Sequence, residues 1–263
     1  EMLRSLVGSE MCIRDSFMSC SAKMPVYALF IAAFFPSHRG LVVFSLYVTG
    51  LVVAILCAMV LKKTVLKGGH APFVMELPPY RLPTLKTLWM HMYDRIKDFV
   101  IRAGTILFAA SVVIWFLQSF DTHFHMLPAG QAENSILAAI GKAIAPVFAP
   151  LGFGFWQAAV ALVTGLMAKE TVVGTLNILY NPATDAAMSQ ILQGIFTPVS
   201  ALSFLVFVLL YMPCVAAFSA IRREMNSWKW ALGTIAMQTG VAWVVSFVVY
   251  QFGTLAVNLI VRF

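Results

Sequence analysis

Charge is what this chain has least of. Only 11% of its 263 residues are Asp, Glu, Lys or Arg, whereas 60% are hydrophobic and the mean hydropathy is +0.86. A soluble domain of this length needs far more charge to cover its surface, so the composition points to a membrane protein. The net charge of +7 is not a nucleic-acid signal. The basic residues fall in short runs between apolar segments, as the positive-inside rule produces. Cysteine is also sparse: Cys12, Cys20, Cys57 and Cys214 are scattered, and three lie in or beside apolar stretches, which argues against a disulfide framework. Missing too are a GxxxxGK phosphate loop, an HExxH zinc motif and a GxSxG nucleophile elbow, so no enzyme and no bound cofactor is expected.

What the chain does have is a series of apolar segments, several of them interrupted. Glu1 to Ser16 is mixed polar and lacks the apolar core of a signal peptide, so it reads as a non-native leader fused near Phe17. Val26 to Phe35 is too short to span, since a crossing needs about 20 residues, and reads as half of an interrupted helix. Leu41 to Leu61 carries no charge and is a span, closed by Lys62, Lys63 and Lys67 on the cytoplasmic side. Thr84 to Asp98 reads as an interfacial amphipathic helix and Val100 to Phe120 as the next span. Two loops poor in basic residues, Asp121–Asn134 and Asn181–Thr197, are expected outside, so an even number of crossings must separate them. Ile136–Ala149 fits a partial helix. Between Phe155 and Tyr180 either a re-entrant hairpin turning at Gly165–Thr171 or two ordinary spans satisfies that parity. Val199–Ile221 crosses back, and Leu232–Leu259 is the last span.

Three places carry chemistry. In Tyr211-Met212-Pro213-Cys214 the proline removes one N–H and clashes with the carbonyl of Leu209. A carbonyl freed in lipid must find another partner, so such breaks survive where protein or water lines them. The adjacent thiol suits soft or borderline metals. Cys20, flanked by Ser19 and Ser21, stands at a second interruption, although free cysteine is also a common small core residue. Lys169 and Glu170 lie inside membrane-like sequence, where ionisable groups are expensive and usually functional. As neighbours on a helix they cannot face each other, and a gating or structural role is the better reading. Met167 and Met212 read as core fillers, Cys57 as packing, and the His123/His125 pair as a solvated loop.

Four ordered motifs carry a resemblance: Phe17-Met18-Ser19-Cys20-Ser21-Ala22-Lys23-Met24-Pro25-Val26-Tyr27, the Phe73–Pro83 stretch, Gly165-Leu166-Met167-Ala168-Lys169-Glu170-Thr171-Val172-Val173-Gly174, and Tyr211–Ala216 with Ile221-Arg222-Arg223-Glu224. Together they resemble the ferrous-iron transporter B family (FeoB). The resemblance implies an all-α polytopic membrane fold with interrupted or re-entrant helices, of the gate or nucleoside-recognition type. It also implies an Fe(II) transporter of the bacterial inner membrane. Residues 17–98 match the family's central membrane segment with its cytoplasmic interfacial loop, and 99–263 the second gate repeat and last helix. The family's GTP- and Mg-binding G domain and its first gate repeat are not matched, so the chain is expected to be a fragment. By the same resemblance Cys20 and Cys214, with Ser19 and Ser21, lie on the iron path. Lys169, Glu170, Pro213, Gly165 and Gly174 are gate or structural residues. Implied partners are the lipid bilayer, Fe(II), the G domain and first gate repeat, small cytoplasmic Feo proteins and further copies of the chain, but not nucleic acid. The rival expectations are a gate-repeat carrier of nucleosides or another organic solute, and an integral-membrane enzyme.

Overall fold

A computed structural model describes residues 17–64, 84–121, 125–127, 134–180, 182, 184–225 and 227–262. The leader, the Phe73–Pro83 motif, Cys12 and His123 lie outside the described residues. A 3-10 turn, Ser21–Lys23, leads into α1 (Met24–Phe34), followed by α2 (Arg39–Thr64) and α3 (Leu85–Ser119). Next come α4 (Ile136–Phe148), α5 (Trp156–Thr164), α6 (Thr171–Tyr180), α7 (Asp185–Ile195), α8 (Pro198–Leu210), α9 (Val215–Met225) and α10 (Trp228–Arg262). Among the described residues the only β pairing is two isolated bridges, Phe120 with Met126 and Asp121 with Ser135.

Among the described residues, two helices are long and apolar enough to cross a membrane unaided, over Arg39–Leu61 and Trp228–Leu259. Two further pairs qualify only as bent units: Ile136–Leu151 with Trp156–Thr164, at 104°, and Ala186–Ile195 with Pro198–Leu210, at 103°. The first bend falls at Gly152, whose φ of 86° ends the turn in the left-handed region that glycine enters without steric cost. The second begins afresh at Thr197, whose hydroxyl accepts from the Ser200 N–H while Ser200 Oγ accepts from the Thr197 N–H. Pro198 supplies a first helical residue with no N–H to lose.

Helix α8 is the centre of the structure. Phe204 to Leu210 is buried without interruption, the all-round burial expected of an entirely apolar helix. It packs along α10 and against α1 and α2. Phe30 stacks on Phe204 at 4.9 Å, and Phe153 meets Phe204 edge-on at 5.3 Å. The outward faces of α2 and α10 remain apolar and exposed, with Leu41, Phe44 and Phe252 each about two-thirds accessible, the surface a lipid-facing helix presents.

Three sequence expectations change. The interfacial helix and the span after it are one continuous helix, α3, because no breaker separates Asp98 from Val100 and the Thr84 hydroxyl caps the start. The Asn181–Thr197 loop is largely helical: Thr184 caps α7, and Met188 and Leu192, four apart, are buried where α7 packs on α1. The Val199–Ile221 crossing is two helices, α8 and α9, separated at the proline break. Between Phe155 and Tyr180 the structure has two short helices joined at Gly165–Glu170, the two-half-helix alternative.

Candidate functional site

The three interruptions marked by the sequence meet. Helix α8 ends at Leu210, the chain runs through Tyr211–Cys214 without helical structure, and α9 begins at Val215. The Leu209 carbonyl, denied its helical donor by Pro213, accepts a hydrogen bond from Lys23 Nζ at 2.7 Å. The same ammonium donates to the Met18 carbonyl at 2.9 Å. A residue from the first break thus satisfies a carbonyl opened by the last one, 186 residues later in the chain.

The middle break closes on the same place. Lys169 Nζ donates to the Tyr211 carbonyl at 3.4 Å and sits 4.3 Å from the centre of the Tyr211 ring. The Val215 N–H, first of α9, donates to the Leu166 carbonyl at 3.0 Å. The turn itself is pinned by Thr171 Oγ1, which donates to the carbonyls of Ala168 (2.7 Å) and Thr164 (3.0 Å). Thr164 and Thr175 share a buried hydroxyl hydrogen bond of 2.8 Å that ties α5 to α6. Gly165 is required sterically: a Cβ there would lie 2.5 Å from both Tyr211 Oη and Val172 Cγ2.

Lys23 is 1% and Lys169 4% exposed. Groups of that burial are retained only where carbonyls or ring faces hold them. Cys20, exposed, and Cys214, half-buried, lie on the two segments that these lysines hold together. The Lys23 N–H donates to the Cys20 carbonyl at 3.1 Å, and Ser19 Oγ pairs with Tyr27 Oη at 3.4 Å, so the Ser-Cys-Ser segment is held from both sides. Among the described residues no three His, Cys, Asp or Glu side chains form a metal-binding group. The donors on offer are therefore two thiols with nearby carbonyl and hydroxyl oxygens.

Cys20, Ser19, Ser21, Cys214, Pro213, Lys169 and Gly165 all belong to these meeting segments. Glu170 is exposed while its neighbour Lys169 is buried, so the pair does not act as a neutralised unit. Gly174 is exposed, and an added Cβ there would meet nothing within 4 Å. Cys57 and Met212 pack against the apolar core. Lys23 and Tyr211 were not singled out by the sequence. Lys23 did carry a signal: it stands at the N-cap of α1, where the helix dipole disfavours a cation unless other groups hold it.

Residues 43–95 match the family model for the ferrous iron transport protein B C terminus, and residues 100–228 the model for the Gate, or nucleoside recognition, domain. The chain is 46% identical to an Fe(2+) transporter FeoB of Staphylococcus aureus (strain COL), over 92% of this chain and 36% of that one. It is 37% identical to an Fe(2+) transporter FeoB of Methanocaldococcus jannaschii, over 92% of this chain and 36% of the relative. An Fe(2+) transport protein A/Fe(2+) transporter FeoB fusion protein of Porphyromonas gingivalis is 38% identical, over 90% and 33%. The chain thus spans about a third of the length of the curated relatives it matches. No solved structure matches it. The FeoB C-terminus match followed by the Gate match, with FeoB relatives along 92% of the chain and a scaffold of broken apolar helices, establishes that the chain belongs to the FeoB family of ferrous iron transport proteins and carries its C-terminal membrane portion.

Proposed function

We propose that this chain forms part of the membrane pathway of a GTP-dependent Fe(II) uptake system in the bacterial inner membrane. Fe(II) is its cargo, and GTP and Mg act on a G domain elsewhere in the full-length family. The observation that carries this reading is the meeting of the segment that holds Cys20 with the one that holds Cys214, where Lys23 and Lys169 donate to the opened carbonyls. Thiols and carbonyl oxygens together suit a borderline dication. The ion sheds water against these groups and must exchange with the ammonium groups for the carbonyls. Each contact is weak enough for the ion to leave. The gate turn, joined to the break by the Val215–Leu166 hydrogen bond, is the element whose movement opens or closes the path. In this reading the chain is a permease and catalyses no reaction itself. Its partners are the bilayer, the G domain, the first gate repeat, further copies and a small Feo protein of the kind fused to the Porphyromonas relative.

The test is Fe(II) uptake by cells expressing a full-length family member that carries this chain as its membrane portion. Cys214→Ser lowers uptake to near background, and an unchanged rate overturns the assignment. The Gate model's description favours one second reading, transport of nucleosides. Competition by excess uridine separates the two: Fe(II) uptake that uridine leaves unchanged, with no uridine taken up, rejects the nucleoside carrier.

A further inference from the structure

Gln238, on α10, is 1% exposed, and neither its amide oxygen nor its amide nitrogen has a hydrogen-bond partner among the described residues. An amide buried in a membrane helix without partners is costly, and such a group calls for a reason. Its position supplies one. Helix α10 runs antiparallel to α8: Gly253 backs onto Val199 at the start of α8, and the Ser203 hydroxyl donates to the Ser246 carbonyl at 3.1 Å further along. Both helices rise equally per residue, so the same number of residues on from Ser203 and back from Ser246 brings Tyr211, the first residue past α8, and Gln238 to about the same height. Tyr211 Oη is also buried and without a hydrogen-bond partner among the described residues.

We infer that Gln238 belongs to the cation site at the break, its amide oxygen serving as a ligand for the ion that Cys214 takes through sulfur. This rests on the Fe(II) reading and deepens it, because it assigns a selectivity determinant. A thiol alone favours soft ions, whereas an added neutral oxygen donor shifts preference toward borderline dications such as Fe(II) and Co(II).

The full chain in lipid nanodiscs is titrated with Co(II), followed by its thiolate charge-transfer absorption, and with Cd(II), which relies on sulfur. Gln238→Leu weakens Co(II) binding about tenfold and Cd(II) binding far less, and Gln238→Glu, which keeps the oxygen, binds Co(II) at least as well as wild type. The unfolding midpoint of Gln238→Leu stays the same or rises, because the replaced amide had no partner to lose. Co(II) binding by Gln238→Leu at wild-type strength overturns the inference and leaves Cys214 standing. Equal loss of both metals with a lowered midpoint assigns Gln238 a packing role and also overturns it. Co(II) binding by the wild type without a thiolate band removes the cysteine reading and this inference together.

Discussion

Replacing Lys23 by Met tests the physical core of the site. Methionine keeps much of the side-chain volume but deletes the ammonium that donates to Leu209 O at 2.7 Å and Met18 O at 2.9 Å. Two carbonyls are then left without that donor in a region where Lys23 is 1% exposed. Each unsatisfied carbonyl costs about 1–3 kcal/mol. Removing the cost of burying the charge returns part of this, so the net destabilisation is about 3 kcal/mol. For a chain of this size about 2–4 °C of midpoint follows each kcal/mol, giving a fall of roughly 6–12 °C. Tryptophan fluorescence in detergent micelles reads the midpoint, with Lys86→Met, on the exposed face of α3, as the control that moves it little. The partner variant is Pro213→Ala, which restores an N–H at the position that lost one. In a double-mutant cycle the two substitutions are less than additive, since each changes the supply of donors to the same carbonyl. A midpoint within about 2 °C of wild type for Lys23→Met, a change of roughly half a kcal/mol, or strict additivity with Pro213→Ala, refutes the argument that Lys23 closes the proline break.

Two further substitutions probe the gate turn and the spare thiol. Gly165→Ala pushes against Tyr211 Oη and Val172 and is expected to destabilise by about 1–3 kcal/mol, as overpacking does. Gly174→Ala, with nothing within 4 Å of the new methyl, is neutral or stabilises α6 by up to about 1 kcal/mol; thermal midpoints of the two variants falling together would contradict this. Cys57→Ala is expected to leave Fe(II) uptake unchanged while Cys214→Ser abolishes it, because Cys57 packs on the core away from any helix break. A loss of uptake in Cys57→Ala would move the ion path toward α2.

The spans and the breaks were legible because they are local properties. Leu41–Leu61 is a charge-free run, and Pro213 removes a donor whatever surrounds it. The continuity of α3 is hidden in the sequence because its amphipathic and apolar halves differ in composition, although no breaker stands between them. Helix α7 does not show in the charge pattern, because a lack of Lys and Arg over Asn181–Thr197 speaks to sidedness and not to secondary structure; the Met188–Leu192 spacing that buries it against α1 is what carries the helix.

The donor that satisfies the proline break was a harder case, and it shows what pattern reading omits. That a carbonyl at Leu209 needs a partner follows from sequence, but which residue supplies it depends on a contact spanning 186 positions. Lys23 looked like part of a polar run before a short helix. The physical clue was its placement against the dipole of α1, a cost that only an external acceptor can offset. Lys169 posed the same problem inside the gate turn, and Tyr211 meets it with both its carbonyl and its ring. The two lysines therefore link the breaks to one another through the carbonyls of Leu209 and Tyr211. Any movement that frees the carbonyls of Leu209 and Tyr211 must also displace Lys23 and Lys169, so the first and middle breaks cannot open independently of the proline break.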